Sequence, residues 1–189
     1  MNHLARITLK TIFFISIIAF QGCKKDPCSN VVCLNGGFCA NGDCNCPLGY
    51  EGSDCSIEKM PTSVRINSIR LVRYPMTTTS GAGWDGLAGN GPDIFLTINS
   101  GTVSNLNDFI SGRVDNVVGQ SLSYTTNLPI TLPSPTTNWT VGLWDEDSFS
   151  NEFMGGIYFV PSNFKAGFPP TITLTTSAIS IELNVTWLF

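Results

Sequence analysis

Histidine is almost absent: among 189 residues there is one, His3, and Lys and Arg together number only 10. His3 stands beside Arg6 and Lys10 ahead of an apolar run at residues 12–20, and residues 1–22 read as an export signal removed on maturation. Its removal leaves no imidazole, which excludes Ser-His and Cys-His nucleophile pairs, His-liganded zinc and His general bases. The 10 basic residues fall to 8 when Arg6 and Lys10 go, against 14 Asp+Glu, a formal charge of −6. Such a balance excludes a nucleic-acid partner and offers no polybasic patch for an anionic membrane. The apolar run is shorter than the about 20 residues a bilayer span needs. Cysteine is missing after Cys55, and no stretch carries a capped helical period of useful length.

All seven cysteines fall between Cys23 and Cys55. The apolar run ends in Ala19-Phe20-Gln21-Gly22-Cys23. Small Gly22 directly before a cysteine resembles a bacterial lipoprotein signal, whose cysteine is acylated and becomes the first residue of the mature chain. The sequence departs from that family at Phe20-Gln21, where Leu or Val followed by Ala or Ser is usual. The resemblance implies lipidation at Cys23 and a lipid-anchored place in the bacterial outer membrane, at the cell surface. An ordinary cleaved signal or an uncleaved anchor are the alternatives. Lys24-Lys25-Asp26 resembles the charged surface-export signal of lipoproteins of the Bacteroidetes group. Residues 23–27 read equally well as a solvated charged tether.

With Cys23 lipidated, Cys28, Cys33, Cys39, Cys44, Cys46 and Cys55 remain. Six cysteines in so short an exported segment imply disulfides in place of a hydrophobic core, and spacing alone leaves fifteen pairings open. Zinc is disfavoured by the oxidising compartment and the missing histidine. The spacing, with Asn35-Gly36-Gly37-Phe38 before Cys39 and Pro47-Leu48-Gly49-Tyr50-Glu51-Gly52 after Cys46, resembles an epidermal-growth-factor-like (EGF-like) module. Gly36, Gly37 and Gly49 are expected where hairpin turns need positive φ. The resemblance implies a module over residues 28–57, the pairs Cys28–Cys39, Cys33–Cys44 and Cys46–Cys55, two small hairpins and no catalysis. The acidic run that precedes the first cysteine in calcium-binding members is absent, so no calcium is expected there.

A polar linker at residues 58–63 leads into a cysteine-free region at 64–189 rich in Thr, Ser, Asn and β-branched residues. Period-two alternation places Ile181, Leu183, Val185, Trp187 and Phe189 on one face, and Ile94, Leu96 and Ile98 alternate likewise. Further strands are expected over residues 64–74, 112–118, 128–132, 139–145, 156–160 and 171–176. The phase slips between Ile66 and Ile69, predicting a bulge at Asn67-Ser68. Roughly eight short strands between Gly, Pro, Asn and Ser turns predict an all-β chain, its second part an antiparallel β-sandwich.

Two connections carry the candidate chemistry. Residues 75–92 form a long Gly-rich loop, and residues 144–155 an acidic one with Asp145, Glu146, Asp147 and Glu152. Clustered carboxylates raise one another's pKa unless a cation sits among them, and calcium takes about 6 to 8 oxygen ligands from such loops. Gly91-Pro92-Asp93-Ile94-Phe95-Leu96 resembles the strand after the first calcium loop of the C2 domain, and the run from Trp144 to Gly155 resembles that domain's third loop. The resemblance implies an eight-stranded C2-like sandwich that binds calcium through Asp85, Asp93, Asp145, Asp147 and Glu152. Glu152 departs from the family's Asp and stands one residue early, and loop length leaves Asp85 less defined. The plain alternative is a solvated acidic surface. Trp84, Leu87 and Phe149 at the loop tips suit insertion into a bilayer or partner, or packing within the loop.

Three motifs mislead. Gly81-Ala82-Gly83-Trp84-Asp85-Gly86 satisfies a dinucleotide-binding pattern, but a strand follows it where that motif needs a helix N-terminus. Asn138 and Asn184 head glycosylation sequons without a bacterial use for them. Trp187-Leu188-Phe189 resembles the end of an outer-membrane barrel, for which the strands are short. The expected function is a surface-anchored binding or adhesion protein, not an enzyme, whose calcium site takes a phospholipid, glycan or protein partner. A purely structural accessory subunit, and a glycosidase using Asp145 or Glu152, are the rivals; the second needs a cleft for which the sandwich has little room.

Overall fold

The computed structural model describes residues 25–85, 91–101 and 109–189, so the signal at 1–22, Cys23 and Leu87 lie outside the described residues. Two compact units divide the chain: one runs up to Pro47 and includes Gly52–Ser56, the other comprises Leu48–Glu51 and Ile57–Phe189.

The first unit is held covalently. Cys28–Cys39, Cys33–Cys44 and Cys46–Cys55 are disulfide-bonded, and strands β1 (Phe38–Ala40) and β2 (Asp43–Asn45) form an antiparallel hairpin with Cys39 opposite Cys44. Val32 and Phe38 are exposed, as expected where crosslinks replace a core. Gly36 and Gly49 have positive φ, whereas Gly37 does not. Gly37 serves close approach instead: a Cβ there would lie 2.7 Å from the Cys55 sulfur.

In the second unit a short pair, β3 (Tyr50–Glu51) and β4 (Ile57–Glu58), is tied to the loop before β11. Tyr50 meets Phe168 edge-on, and Glu58 accepts hydrogen bonds from Lys165 and the Gly167 N–H, which hold its carboxyl below the usual range. The eight longer elements are β5 (Ser63–Arg73), β6 (Ile94–Ser100), β7 (Leu122–Tyr124), β8 (Ile130–Leu132), β9 (Trp139–Asp145), β10 (Glu152–Phe159), β11 (Thr171–Thr175) and β12 (Ser180–Leu188). One antiparallel sheet has the order β11-β12-β5-β7, with β8 also paired to β5; the other is β10-β9-β6. Their inner faces share one apolar core. Ile66, Leu71, Ile181 and Leu183 come from the first sheet and Ile94, Leu96, Val141 and Leu143 from the second. This is the all-β, two-sheet sandwich that the alternation predicts.

The register of β12 on β5 shifts between Asn184 and Val185, which pair with Ser68 and Ile66, so Asn67 is the bulged residue. Its side-chain amide donates to Asn184 and Thr186, and the bulge restores inward phase for both Ile66 and Ile69. Three expected strands are corrected. Residues 112–118 make only a bridge, Val114 to Ile94, and the strand lies instead at β7. Strand β8 starts at Ile130, because Pro129 has no N–H for a ladder. Strand β10 starts at Glu152, four residues before Gly156. Among the described residues the two sheets are open at their edges and do not close into a barrel; Trp187 is buried and donates its indole N–H to Pro169 O at 2.8 Å.

Ile66 is fully buried where the two sheets meet. Ile66→Ala is expected to cost about 2–5 kcal/mol, from lost transfer free energy and a residual cavity, read as a lower denaturation midpoint at unchanged m-value.

Candidate metal centre

Strand β9 carries the key residue. Its inward positions run Val141, Leu143, Asp145, so the alternation that buries two aliphatic side chains also buries a carboxylate at the strand's end. Asp145 is fully buried, with Oδ1 accepting the Asp93 backbone N–H at 2.6 Å. Its Oδ2 has no hydrogen-bond partner among the described residues. Asp147 lies two residues on, and Asp85 arrives from the long loop after β5. One ligand oxygen from each of Asp85, Asp145 and Asp147 lies within 4.8 Å of the others.

Asp93 secures the arrangement. Its Oδ1 accepts the Asn116 N–H at 2.8 Å, its N–H holds Asp145, and its carbonyl accepts the Glu146 N–H at 2.9 Å. It therefore stands beside the triad and ties three loops together. Glu152 is the ladder partner of Asp145, yet its carboxylate is not one of the three grouped oxygens; it lines a neighbouring cavity with Trp84 and Phe153. The early start of β10 sets that course, since Glu152 is already an exposed strand residue and not part of the loop. Trp84 is half-buried against the core and donates its indole N–H to Pro75 O at 2.8 Å, whereas Phe149 is fully exposed.

The electrostatics are those of crowded acids. Burial, and then the charges of Asp147, Asp85 and Asp93, push the Asp145 carboxyl up to about 6 against the lowering effect of the Asp93 N–H. Burial pushes Asp85 up as well, with Asp93 and Asp147 adding to it. Arg113 is occupied elsewhere, at 2.6 Å from Asp115 and 3.3 Å from Glu146, so Glu146 is neutralised away from the triad.

Arg113 and Asn116 escaped the sequence reading because residues 112–118 alternate like a strand. The turn residues Asp115-Asn116 and Gly119 inside and just after that run were the available signal, and Asn116 indeed has a φ of 51°. The donors at the triad are oxygen atoms only, a set that suits a hard cation. Two oxygens on opposite sides of a calcium ion bonded at about 2.4 Å lie about 4.8 Å apart, so the triad fits around one such ion. A cation there would also supply the partner that the buried Asp145 Oδ2 otherwise lacks.

No protein-family model matches the chain, and no curated protein matches it. Among solved structures it is similar to the calcium-bound pair of C2 domains of Extended-Synaptotagmin 2, at 18% identity and a TM-score of 0.47 over 68% of this chain and 46% of that one. It is similar to a structure described as that of a C2 domain, at 14% identity and a TM-score of 0.45, covering 67% of this chain and 98% of the other. A third likeness is human GIVD cytosolic phospholipase A2 in complex with methyl gamma-linolenyl fluorophosphonate, at 13% identity and a TM-score of 0.44, covering 66% and 17%. The chain spans less than half the length of the first and third of these.

Proposed function

We propose that this protein is a lipid-anchored bacterial surface protein, tethered at Cys23, whose disulfide-rich EGF-like unit carries a calcium-binding sandwich used in binding or adhesion. The observation that carries the reading is the buried Asp145, grouped with two other carboxylates and with one oxygen that has no hydrogen-bond partner among the described residues. Asp85, Asp145 and Asp147 would hold the ion, with Asp93 setting their positions. Calcium supplies the positive charge that three facing carboxylates need and leaves coordination positions for an oxygen of a phosphate, carboxylate or glycan. Fully exposed Phe149, two residues beyond Asp147, supports contact with a partner surface beside the ion. The chain's own groups perform binding rather than bond-breaking in this reading.

A calorimetric calcium titration of the full chain, with thermal melting in parallel, tests it. Saturable heat and a rise in Tm that grows with free calcium are expected, both lost in the Asp145→Asn/Asp147→Asn variant. Absence of heat together with an unchanged Tm in the parent chain would overturn the calcium reading and leave a structural sandwich.

A further inference from the structure

We propose a second ligand site, for an alkylated ammonium cation, in the cavity beside the acid triad. The cavity has a volume of about 490 Å³, within the range of about 300–1,000 Å³ typical of small-molecule sites. Pro75, Trp84, Phe153, Met154 and Ala178 give it an apolar wall, residues 77–79 add hydroxyls, and Glu152 is the one charged group among the described residues that line it. Among those residues there is no Lys, Arg or His on the lining, and Glu152 forms no ion pair.

That chemistry selects one class of occupant. A carboxylate on an apolar lining attracts a cation, and the aromatic residues Trp84 and Phe153 on that lining favour one with an apolar shell. Bare metal ions and primary ammonium groups keep too much hydration for an aromatic wall; a methylated ammonium has an apolar shell that sheds water readily. Trp84 is fixed through its indole N–H on Pro75 O, and Phe153 packs on Trp144, ring centroids 4.9 Å apart. Without calcium the neighbouring field has the same sign, since Glu152 pairs with Asp145 across the ladder and Trp84 immediately precedes Asp85. This site goes beyond the calcium reading and does not rest on it.

Choline is the probe, and 3,3-dimethylbutan-1-ol, equal in shape but uncharged, is its control. Both are titrated into the full chain in EDTA, so that failure of calcium binding and failure of this site remain separate results. The readouts are the Trp84 indole N–H and the amides of Glu152, Phe153 and Met154 by NMR. Saturable shifts confined to these groups are expected with choline, with the neutral alcohol about tenfold weaker. Glu152→Gln is expected to weaken choline about tenfold at an unchanged Tm. Equal binding of the two probes, shifts centred elsewhere, no shifts, or a Glu152→Gln chain that binds choline as before would each overturn the proposal. Should Glu152→Gln fold poorly, the charged and neutral probes on the parent chain still decide it.

Discussion

Asp145→Asn is expected to raise the Tm of the calcium-free protein at pH 7 while abolishing its response to calcium, an inversion that a merely structural residue would not produce. Asp145 is buried, faces Asp85 and Asp147, and has a carboxyl pushed up to about 6 from an unfolded value near 3.8. The folded state therefore binds this proton more tightly than the unfolded state does. Between those two values the folded protein carries more protons, so its stability falls as pH rises, and the full penalty is present above about pH 6. Asparagine keeps an oxygen to accept the Asp93 N–H and presents an amide to the two remaining carboxylates. After allowing for screening, the gain is about 1–2 kcal/mol at pH 7, roughly 3–6 °C in Tm for a domain of this size, and it vanishes below about pH 4. In the parent chain calcium must displace the same proton, so its stabilising effect is expected to grow as pH rises through 6. Melting curves at pH 4 and pH 7, with calcium and with EDTA, check both signs; a variant less stable than the parent in EDTA at pH 7 would contradict the account.

Gly91→Ala is expected to be the most damaging single methyl group near the site. A Cβ at Gly91 would overlap Val117 O and lie 2.6 Å from its carbonyl carbon, both backbone atoms that no rotamer change can move. Relief requires displacing the loop around Val117. That loop donates the Val117 N–H to Pro92 O at 2.9 Å and the Asn116 N–H to Asp93 Oδ1 at 2.8 Å. Losing both frees Asp93, and with it the N–H that orients Asp145. The expected cost is about 2–4 kcal/mol from backbone overlap and broken hydrogen bonds. Calcium affinity falls alongside stability, which denaturant unfolding and calcium titration read separately. A stable Gly91→Ala protein with full affinity would mean that this loop plays no part in positioning the triad.

Much of this could be read along the chain because the governing physics is local. Period-two alternation marked the inward faces of β6 and β12, and the phase slip between Ile66 and Ile69 marked the bulge at Asn67-Ser68 in β5 before any partner strand was known. The acidic run from the end of β9 showed Asp145 and Asp147 as clustered carboxylates, and the C2 resemblance implied their place among the ligands. Alternation could not, however, tell a strand from a loop when Asp115-Asn116 interrupted it, nor find the three-residue β7, because strands that short are defined by their partners.

Composition and alternation by themselves pointed to an all-β chain, placed its cysteines and its sandwich in separate stretches, and offered clustered carboxylates in two loops as the candidate ligands. Spacing left fifteen disulfide pairings open and the EGF-like resemblance implied one of them; the tertiary structure has that one, Cys28–Cys39, Cys33–Cys44 and Cys46–Cys55. Only the tertiary structure separated the five candidate acids into a triad at Asp85, Asp145 and Asp147, a brace at Asp93 and a cavity wall at Glu152. The reason is that ligand geometry and pKa depend on burial and on distances between residues as far apart in the chain as Asp85 and Asp147, and those are properties of loops brought together by the sheets beneath them.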